Sequence, residues 1–414
     1  MSFRFVHAAD LHLDSPLVSR SPTTADRLRE ASAIAFSRLI RLCIVEDVHA
    51  LLLVGDTLDG ERLSMATEVM FLEGLERLTQ RGIQVVVATG NHDPGDGQGT
   101  MLSLDWPEGC HLIRDENVVR IPVKDRTGAL RGTVDGVGFA ARREERSLAL
   151  ALAPPSPRSV PAVAMAHAQV VESRGARRHI PYAPIHIAEL AARPFDYWAL
   201  GHVHLRQQVL DRPAAWYPGN LQGRHFKEEG AKGALLVEIA GPGRPPNVEF
   251  RSLAPVRFAT LEVNGLGDTR DAGRLIEKVG AAVESLRREA SGHEDLCLRV
   301  RLAGPCPLAR RVDEEELADT MRRRWGLIEV HCETHALHPV LDMDALARRE
   351  PLVALVRALV HELREDPQAA QRRIGDVQLF SADDPDDLEI LEDVLNGMDT
   401  RIARALLDGG GDVP

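Results

Sequence analysis

Ala50-Leu-Leu-Leu-Val-Gly-Asp-Thr-Leu-Asp59 is a run of five apolar residues that stops at a glycine and gives way to two carboxylates. A short apolar run ending in a turn signal reads as a buried strand. The same grammar flanks it. Upstream, Phe3 to Ala8 runs into Asp10-Leu-His12; downstream, Ile83 to Ala88 runs into Gly90-Asn-His-Asp93. Between these runs lie helix-like stretches, Ala25 to Glu46 and Leu63 to Arg81, with apolar residues at helical spacing. Strand, helix, strand, helix, strand is a βαβαβ opening, which predicts parallel strands covered by helices.

After residue 110 the elements shorten, with strand-like Gly132 to Phe139, Ser159 to Ala166, Tyr197 to Leu200, Gln207 to Leu210 and Ala234 to Ile239. These predict a second, mixed sheet packed on the first, so the fold class is α/β, a two-sheet sandwich. Asn247 to Leu253 reads as one more strand of this domain, and the boundary falls near residue 258, giving a first domain of 1–258. Residues 259–340 alternate strands and helices in the pattern of a smaller α+β accessory or capping domain. Residues 341–414 carry two apolar helical stripes, one on Leu352, Leu355, Val356, Leu359, Val360 and Leu363, the other on Leu391, Leu395, Met398, Ile402 and Leu406. They predict C-terminal helices that pack on their own domain or on a partner.

With 414 residues, 44% hydrophobic and 27% charged, the chain has material for a large core and too little bias for a disordered or fibrous protein. No stretch reaches the roughly 18 to 20 uninterrupted apolar residues that span a bilayer. The N-terminal residues enter a strand pattern instead of a signal peptide, so a cytoplasmic protein is expected. Five scattered cysteines without a C-x-x-C pair suggest neither a disulfide framework nor a thiolate zinc site. The net charge of −12 is unevenly placed: residues 1–258 hold 30 basic and 30 acidic side chains, and the remainder 20 and 32. Overall acidity argues against nucleic-acid binding through bulk charge, though not against a local basic groove. Only four of the 50 basic residues are lysines. Positive charge therefore arrives mostly as guanidinium, which suits bidentate contacts to phosphate or carboxylate.

Five blocks set metal-type donors just after an expected strand: Asp10-Leu-His12, Gly55-Asp-Thr-Leu-Asp59, Gly90-Asn-His-Asp93, His167, and Gly201-His-Val-His204. Residues i and i+2 of an extended segment face the same side, so Asp10 with His12, and His202 with His204, can each converge on one spot. Carboxyl ends of neighbouring parallel strands open onto the crevice where α/β sheets bind ligands. The glycines Gly55, Gly90 and Gly201 are read as freeing the backbone to turn there.

The five blocks in this order resemble the calcineurin-like metallophosphoesterases. Asp10-Leu-His-Leu-Asp-Ser-Pro16 and Tyr217-Pro-Gly-Asn-Leu-Gln-Gly-Arg-His-Phe226 are similar to the DNA-repair exonuclease branch of SbcD/YhaO-like proteins, over roughly residues 1–250. The resemblance implies two divalent ions, Mn²⁺ first and Fe²⁺ or Zn²⁺ as alternatives. Asp10, His12 and His204 would hold one, Asn91, His167 and His202 the other, with Asp56 between them. It implies DNA phosphodiester hydrolysis by two-metal activated hydroxide attack, with His92 as the proton donor and Asp59 or Asp93 orienting ligand imidazoles. Arg177, Arg178, Arg224 and His225 become candidate DNA contacts. An SMC-like coiled-coil ATPase, docked through the C-terminal helices, becomes the expected protein partner, and pairing of two copies stays open. Two other functions stand beside this one. The first is a small-molecule or protein phosphoesterase, of which the Asp59-Gly60-Glu61-Arg62 and terminal Asp93 patterns disfavour the phosphoprotein phosphatases and leave small-molecule esterases open; the second is a noncatalytic scaffold, against which the full set of donors counts.

Overall fold

The computed structural model describes residues 2–17, 20–59, 63–95, 101, 103–154, 158–174, 182–289, 295–368, 373, 385–395 and 398–408. The expected βαβαβ opening is present as β1 (Phe3–Ala8), α1 (Pro22–Val45), β2 (Ala50–Val54), α2 (Met65–Thr79) and β3 (Gln84–Ala88). Each helix starts where a serine can cap it. Ser21 accepts from the Thr24 amide ahead of Pro22, and Ser64 from the Thr67 amide. Ser64 is itself held, its amide donating to Asp14 at 2.5 Å, so Asp14 serves the turn into α2.

There follow β4 (Cys110–Ile113), β5 (Val119–Lys124), β6 (Leu130–Val137), β7 (Ala162–His167), the short α3 (Ile187–Ala191), β8 (Tyr197–Gly201), β9 (Gln207–Leu210), β10 (Ala214–Tyr217), β11 (Gly233–Ile239) and β12 (Asn247–Ser252). Two six-stranded sheets result, ordered β12-β11-β1-β2-β3-β4 and β5-β6-β7-β8-β10-β9. β1 to β4 are parallel, as are β6, β7, β8 and β10. One expectation is corrected: β11 does not join the second sheet but pairs antiparallel with β1, Phe5 opposite Val237. Its sequence, Gly-Ala-Leu-Leu-Val-Glu-Ile, is apolar on both faces and so carries no mark of which sheet receives it.

The alternation of side chains along each strand sorts the core. Leu51, Leu53, Val85 and Val87 point to α1 and α2, where they bury Phe36, Leu39, Phe71 and Leu75. Their neighbours Leu52, Val54, Val86 and Ala88 point the other way, onto Val163, Met165, Tyr197 and Ala199 of the second sheet. The outer face of that sheet, Ala162, Ala164, Trp198 and Leu200, is covered by Leu148, Leu190 and Phe195.

The chain divides into two compact units: Met1–Glu262 with Lys278–Arg301 and Asp313–Glu333, and Val263–Glu277 with Leu302–Val312 and Thr334–Pro414. Parts of the 259–340 segment, expected as a smaller domain, fall in each unit. In the first unit Val256, Phe258 and Cys297 bury themselves with Leu28 and Ala31 of α1 and with Phe226, and Arg27 pairs with Asp295 at 2.5 Å. The second unit contains the amphipathic helix Pro351–Glu365, whose Val353 and Val360 are buried while Leu352 and Leu355 are exposed. No helix among the described residues is long and apolar enough to cross a membrane.

Candidate metal centre

The donors lie where the strands of both sheets end. Asp10 and His12 follow β1, Asp56 follows β2, Asn91 and His92 follow β3, His167 closes β7, and His202 and His204 follow β8. The two sheets meet at this edge through close backbone approach. His167 Nδ1 donates to the Val54 carbonyl at 3.0 Å, and the His202 amide donates to the Asp10 carboxylate at 3.1 Å. The motif glycines serve this approach as much as any turn. Only Gly55 has a left-handed backbone, φ +73°, and a Cβ there would lie 2.3 Å from His167 Nδ1. At Gly201 a Cβ would lie 1.9 Å from the Val54 oxygen. Gly201→Ala should therefore lower unfolding stability by about 1–3 kcal/mol, the usual cost of forcing an extra carbon into a packed region. Urea denaturation measures it, and a midpoint equal to wild type would show that the sheet junction has slack.

Left-handed backbone is instead concentrated in the donors themselves, with φ of 52° at Asp10, 46° at His12, 49° at Asp56 and 101° at His202. Non-glycine residues seldom adopt this region, and its cost is tolerated where the surroundings over-determine the geometry.

The structure brings the seven expected donors together. Side-chain donors of Asp10, His12 and His204 lie within 4.8 Å of one another, and so do those of Asp56, His167 and His202. Asp56 stands between the groups, its Oδ2 3.4 Å from His167 Nε2 and 3.9 Å from His12 Nε2. Asn91 Oδ1 completes the second group, 3.1 Å from His167 Nε2 and 3.3 Å from His202 Nδ1. Asp10, His12, Asp56 and His167 are almost wholly buried. Burial and the neighbouring His167 charge push His202 down to about 4. For His167, burial is outweighed by the Asp56 and Asp10 charges, which carry it up to about 9. For His204 it is outweighed by bonds to Asp10 and Glu228, with the same result.

The outer contacts divide the remaining expectations. Asp59 bonds His92 Nδ1 at 3.0 Å and approaches His12 Nδ1 at 3.3 Å; it caps no helix. Burial would raise its pKa, but these bonds hold it well below the carboxylate range. Asp93, the alternative to Asp59 in that role, touches no imidazole among the described residues. Its carboxylate accepts from the amides of Asp56, Thr57, Leu58 and Gly90 at 2.7 to 3.2 Å, so it shapes the loop that carries Asp56. Burial and the Asp56 charge raise it to about 7. Arg224, expected to face nucleic acid, lines the cleft beside the donors and directs its guanidinium to Asp59 at 3.2 Å and Glu228 at 3.4 Å. His225 is half exposed on the rim. Arg177 and Arg178 lie outside the described residues.

Sequence reasoning missed Glu228. Nearly buried, it accepts from His204 Nδ1 at 2.6 Å and from Asn220 Nδ2 at 2.9 Å. It also missed Lys232, whose ammonium donates to the His204 carbonyl at 2.9 Å.

The donor chemistry fits a pair of cations. Since His167 Nδ1 must donate to a carbonyl, a neutral ring turns its Nε2 lone pair toward Asn91 Oδ1 and Asp56 Oδ2, both acceptors. Likewise His204 gives its Nδ1 proton to Glu228 and turns Nε2 toward His12 Nε2 at 3.2 Å and Asp10 Oδ1 at 3.5 Å. Converging acceptors of this kind, a mixture of imidazole, carboxylate and amide oxygen, suit two divalent metal ions.

A two-sheet sandwich with such a centre across its strand ends defines a metal-dependent phosphoesterase. The chain belongs to the calcineurin-like phosphoesterase family, whose model matches residues 3–206. Residues 258–338 match the middle domain of the metallophosphoesterase YhaO. The chain is 32% identical over 313 residues to the uncharacterized metallophosphoesterase YhaO of Bacillus subtilis, covering 73% of this chain and 72% of that protein. It is 29% identical to a subunit of the nuclease SbcCD of Rhodobacter capsulatus, over 61% of this chain and 70% of that one. Its identity to the DNA double-strand break repair protein Mre11 of Sulfolobus acidocaldarius is 21%, over 75% and 77%. These relatives are consistent with the DNA-repair nuclease branch of the family.

Proposed function

We propose that the chain is a phosphodiesterase that cleaves DNA, with Mn²⁺ as its working ion, in a cytoplasmic complex with an SMC-like coiled-coil ATPase. The observation that carries the reading is an open cleft of about 690 Å³, lined by Asp56, Asn91, His92, His202 and His204 together with the cations Arg174, Arg224 and Lys227. A cleft with a metal centre in its wall and cations along it suits an extended polyanion. The names of two relatives, a nuclease subunit and a break-repair protein, support DNA as that polyanion.

In this reading Asp10, His12 and His204 would hold one ion, Asn91, His167 and His202 the other, and Asp56 would serve both. When bound, the ions supply Lewis-acid charge to a phosphoryl group and a means of ionising water at neutral pH. The chain's own part is positional. Asp59 takes the Nδ1 side of His92 and leaves Nε2 free, on a ring whose side chain is 44% exposed. His92 is thereby available to deliver a proton to a departing 3′ oxygen. The exposed apolar residues Leu352 and Leu355 are the surface offered to the ATPase.

Purified protein with Mn²⁺ should hydrolyse end-labelled linear or hairpin DNA and bis(p-nitrophenyl) phosphate faster than a phosphomonoester. Turnover of the monoester alone would replace this reading with that of a phosphatase. No turnover of any of the three, in protein that binds Mn²⁺, would favour a scaffold.

A further inference from the structure

Asp59 and Glu228 each stand behind an imidazole of the same donor group. Glu228 fixes Nδ1 of His204 at 2.6 Å, and Asp59 faces Nδ1 of His12 at 3.3 Å. The two carboxylates come from loops more than 160 residues apart, and one side chain reaches both. Arg224 directs Nη1 to Asp59 Oδ2 at 3.2 Å and Nη2 to Glu228 Oε1 at 3.4 Å. All three side chains are largely out of water, with exposures of 16% for Arg224, 15% for Asp59 and 4% for Glu228.

We infer that Arg224 is a positioning residue for one of the two metal sites, the one formed by Asp10, His12 and His204, and that it acts through Asp59 and Glu228 instead of touching substrate. The inference rests on the metal centre proposed above. Its physical basis is charge and shape. Asp59 and Glu228 sit near two further buried carboxylates, Asp10 and Asp56, and four anions in low dielectric repel one another unless cations stand among them. A guanidinium is planar, so its two terminal nitrogens fix two acceptors in one plane at a set separation, which an ammonium on a flexible stem does not do. Holding both carboxylates holds both imidazole rings in orientation, and outer contacts of this kind typically govern metal affinity by about 10–100-fold. The other site is built differently. His167 is fixed by the Val54 carbonyl and the Asp56 carboxylate accepts from the His92 amide, and neither His167 nor Asp56 is bonded directly by Arg224.

Removing the guanidinium leaves the local backbone satisfied, because the Arg224 amide donates independently to Glu228 Oε2 at 2.8 Å. The Arg20 guanidinium still donates to the Arg224 carbonyl at 3.2 Å. Mn²⁺ binding to the full chain, followed by calorimetry and by electron paramagnetic resonance, tests the inference. Wild type should bind two ions and give the exchange-coupled signal of a pair. Arg224→Ala should weaken one ion by about 10–100-fold and leave the other within about twofold, giving a mononuclear six-line spectrum at ion concentrations that fill both wild-type sites. Arg224→Gln, which keeps a polar donor on a shorter, uncharged side chain, should show the same selective loss in a fold closer to wild type. Arg224→Lys should recover less than half of the lost binding free energy.

An Arg224→Ala isotherm that superimposes on wild type would overturn the inference, and if KM for DNA rose at the same time Arg224 would be a substrate contact. Equal weakening of both ions would also overturn it, as would full recovery with lysine. A wild-type protein that binds no Mn²⁺ would instead overturn the metal centre and this inference with it.

Discussion

Asp56→Asn should abolish the proposed hydrolysis, lowering kcat by about 10³-fold or more, while leaving the metal-free protein folded. The size of the effect follows from the position of Asp56, whose Oδ2 lies between His12 and His167 and so between the two donor groups. Losing one preorganised electrostatic group in an enclosed site typically costs about 10²–10³-fold, and here one charge would serve both proposed ions. The fold survives for a reason that can be read from its hydrogen bonds. Asp56 Oδ1 accepts from the His92 amide at 2.9 Å, a role that the amide oxygen of asparagine can take over. The new NH₂ then faces the Nε2 lone pairs of His12 and His167 and can donate to them. The experiment pairs activity with thermal unfolding. Mn²⁺ should raise the Tm of wild type, as any ligand of the native state does, and should raise that of the variant far less. Wild-type turnover together with a wild-type Mn²⁺ shift would remove Asp56 from the centre.

Why the donors were legible in the sequence while their supports were not has a physical answer. Asp10, His12, Asp56, Asn91, His167, His202 and His204 each follow a run of apolar residues. Strand ends of two parallel sets are forced to one edge once the sheets stack, so local pattern plus a topological rule suffices. Glu228 has no such mark. It lies in Lys227-Glu228-Glu229-Gly230, which by composition is a solvated turn, and only the long-range contact with His204 buries it. Arg224 was conspicuous for its charge, but the direction of a guanidinium depends on where Asp59 and Glu228 stand, which no local pattern encodes.

The same limit governed the strands. β5 alternates exposed and buried residues as a half-buried strand should, yet it carries Pro122, tolerated because β5 is an edge strand. β4 has only four residues and β10 is rich in alanine, so neither rises above a loop reading. Asp93 shows how function can be misassigned from adjacency. Next to Asn91 and His92 it looks like an imidazole partner, whereas a carboxylate at a tight turn is equally suited to gather amides, and it gathers four.

His92→Ala should separate proton delivery from metal binding, through a difference between substrates. On DNA the leaving group is a sugar alkoxide, which departs only if protonated or strongly stabilised, so loss of a general acid should cost about 10²–10⁴-fold. On bis(p-nitrophenyl) phosphate the leaving group is a phenolate stable near neutral pH, and the loss should be far smaller. The structural cost is low. The ring is 44% exposed, and without it Asp59 keeps the contacts with His12 and Arg224. A competing role is present in the geometry, because donors of His92, His12 and Asp56 lie within 4.8 Å of one another and could share an ion. The two roles leave different traces. If His92 is a ligand, the variant should lose Mn²⁺ affinity and fall equally on both substrates, with excess Mn²⁺ restoring part of the rate. If it delivers the proton, Mn²⁺ binding should match wild type, added metal should restore nothing, and the deficit should be confined to the substrate with the poor leaving group. An equal loss on both substrates would therefore end its assignment as the acid.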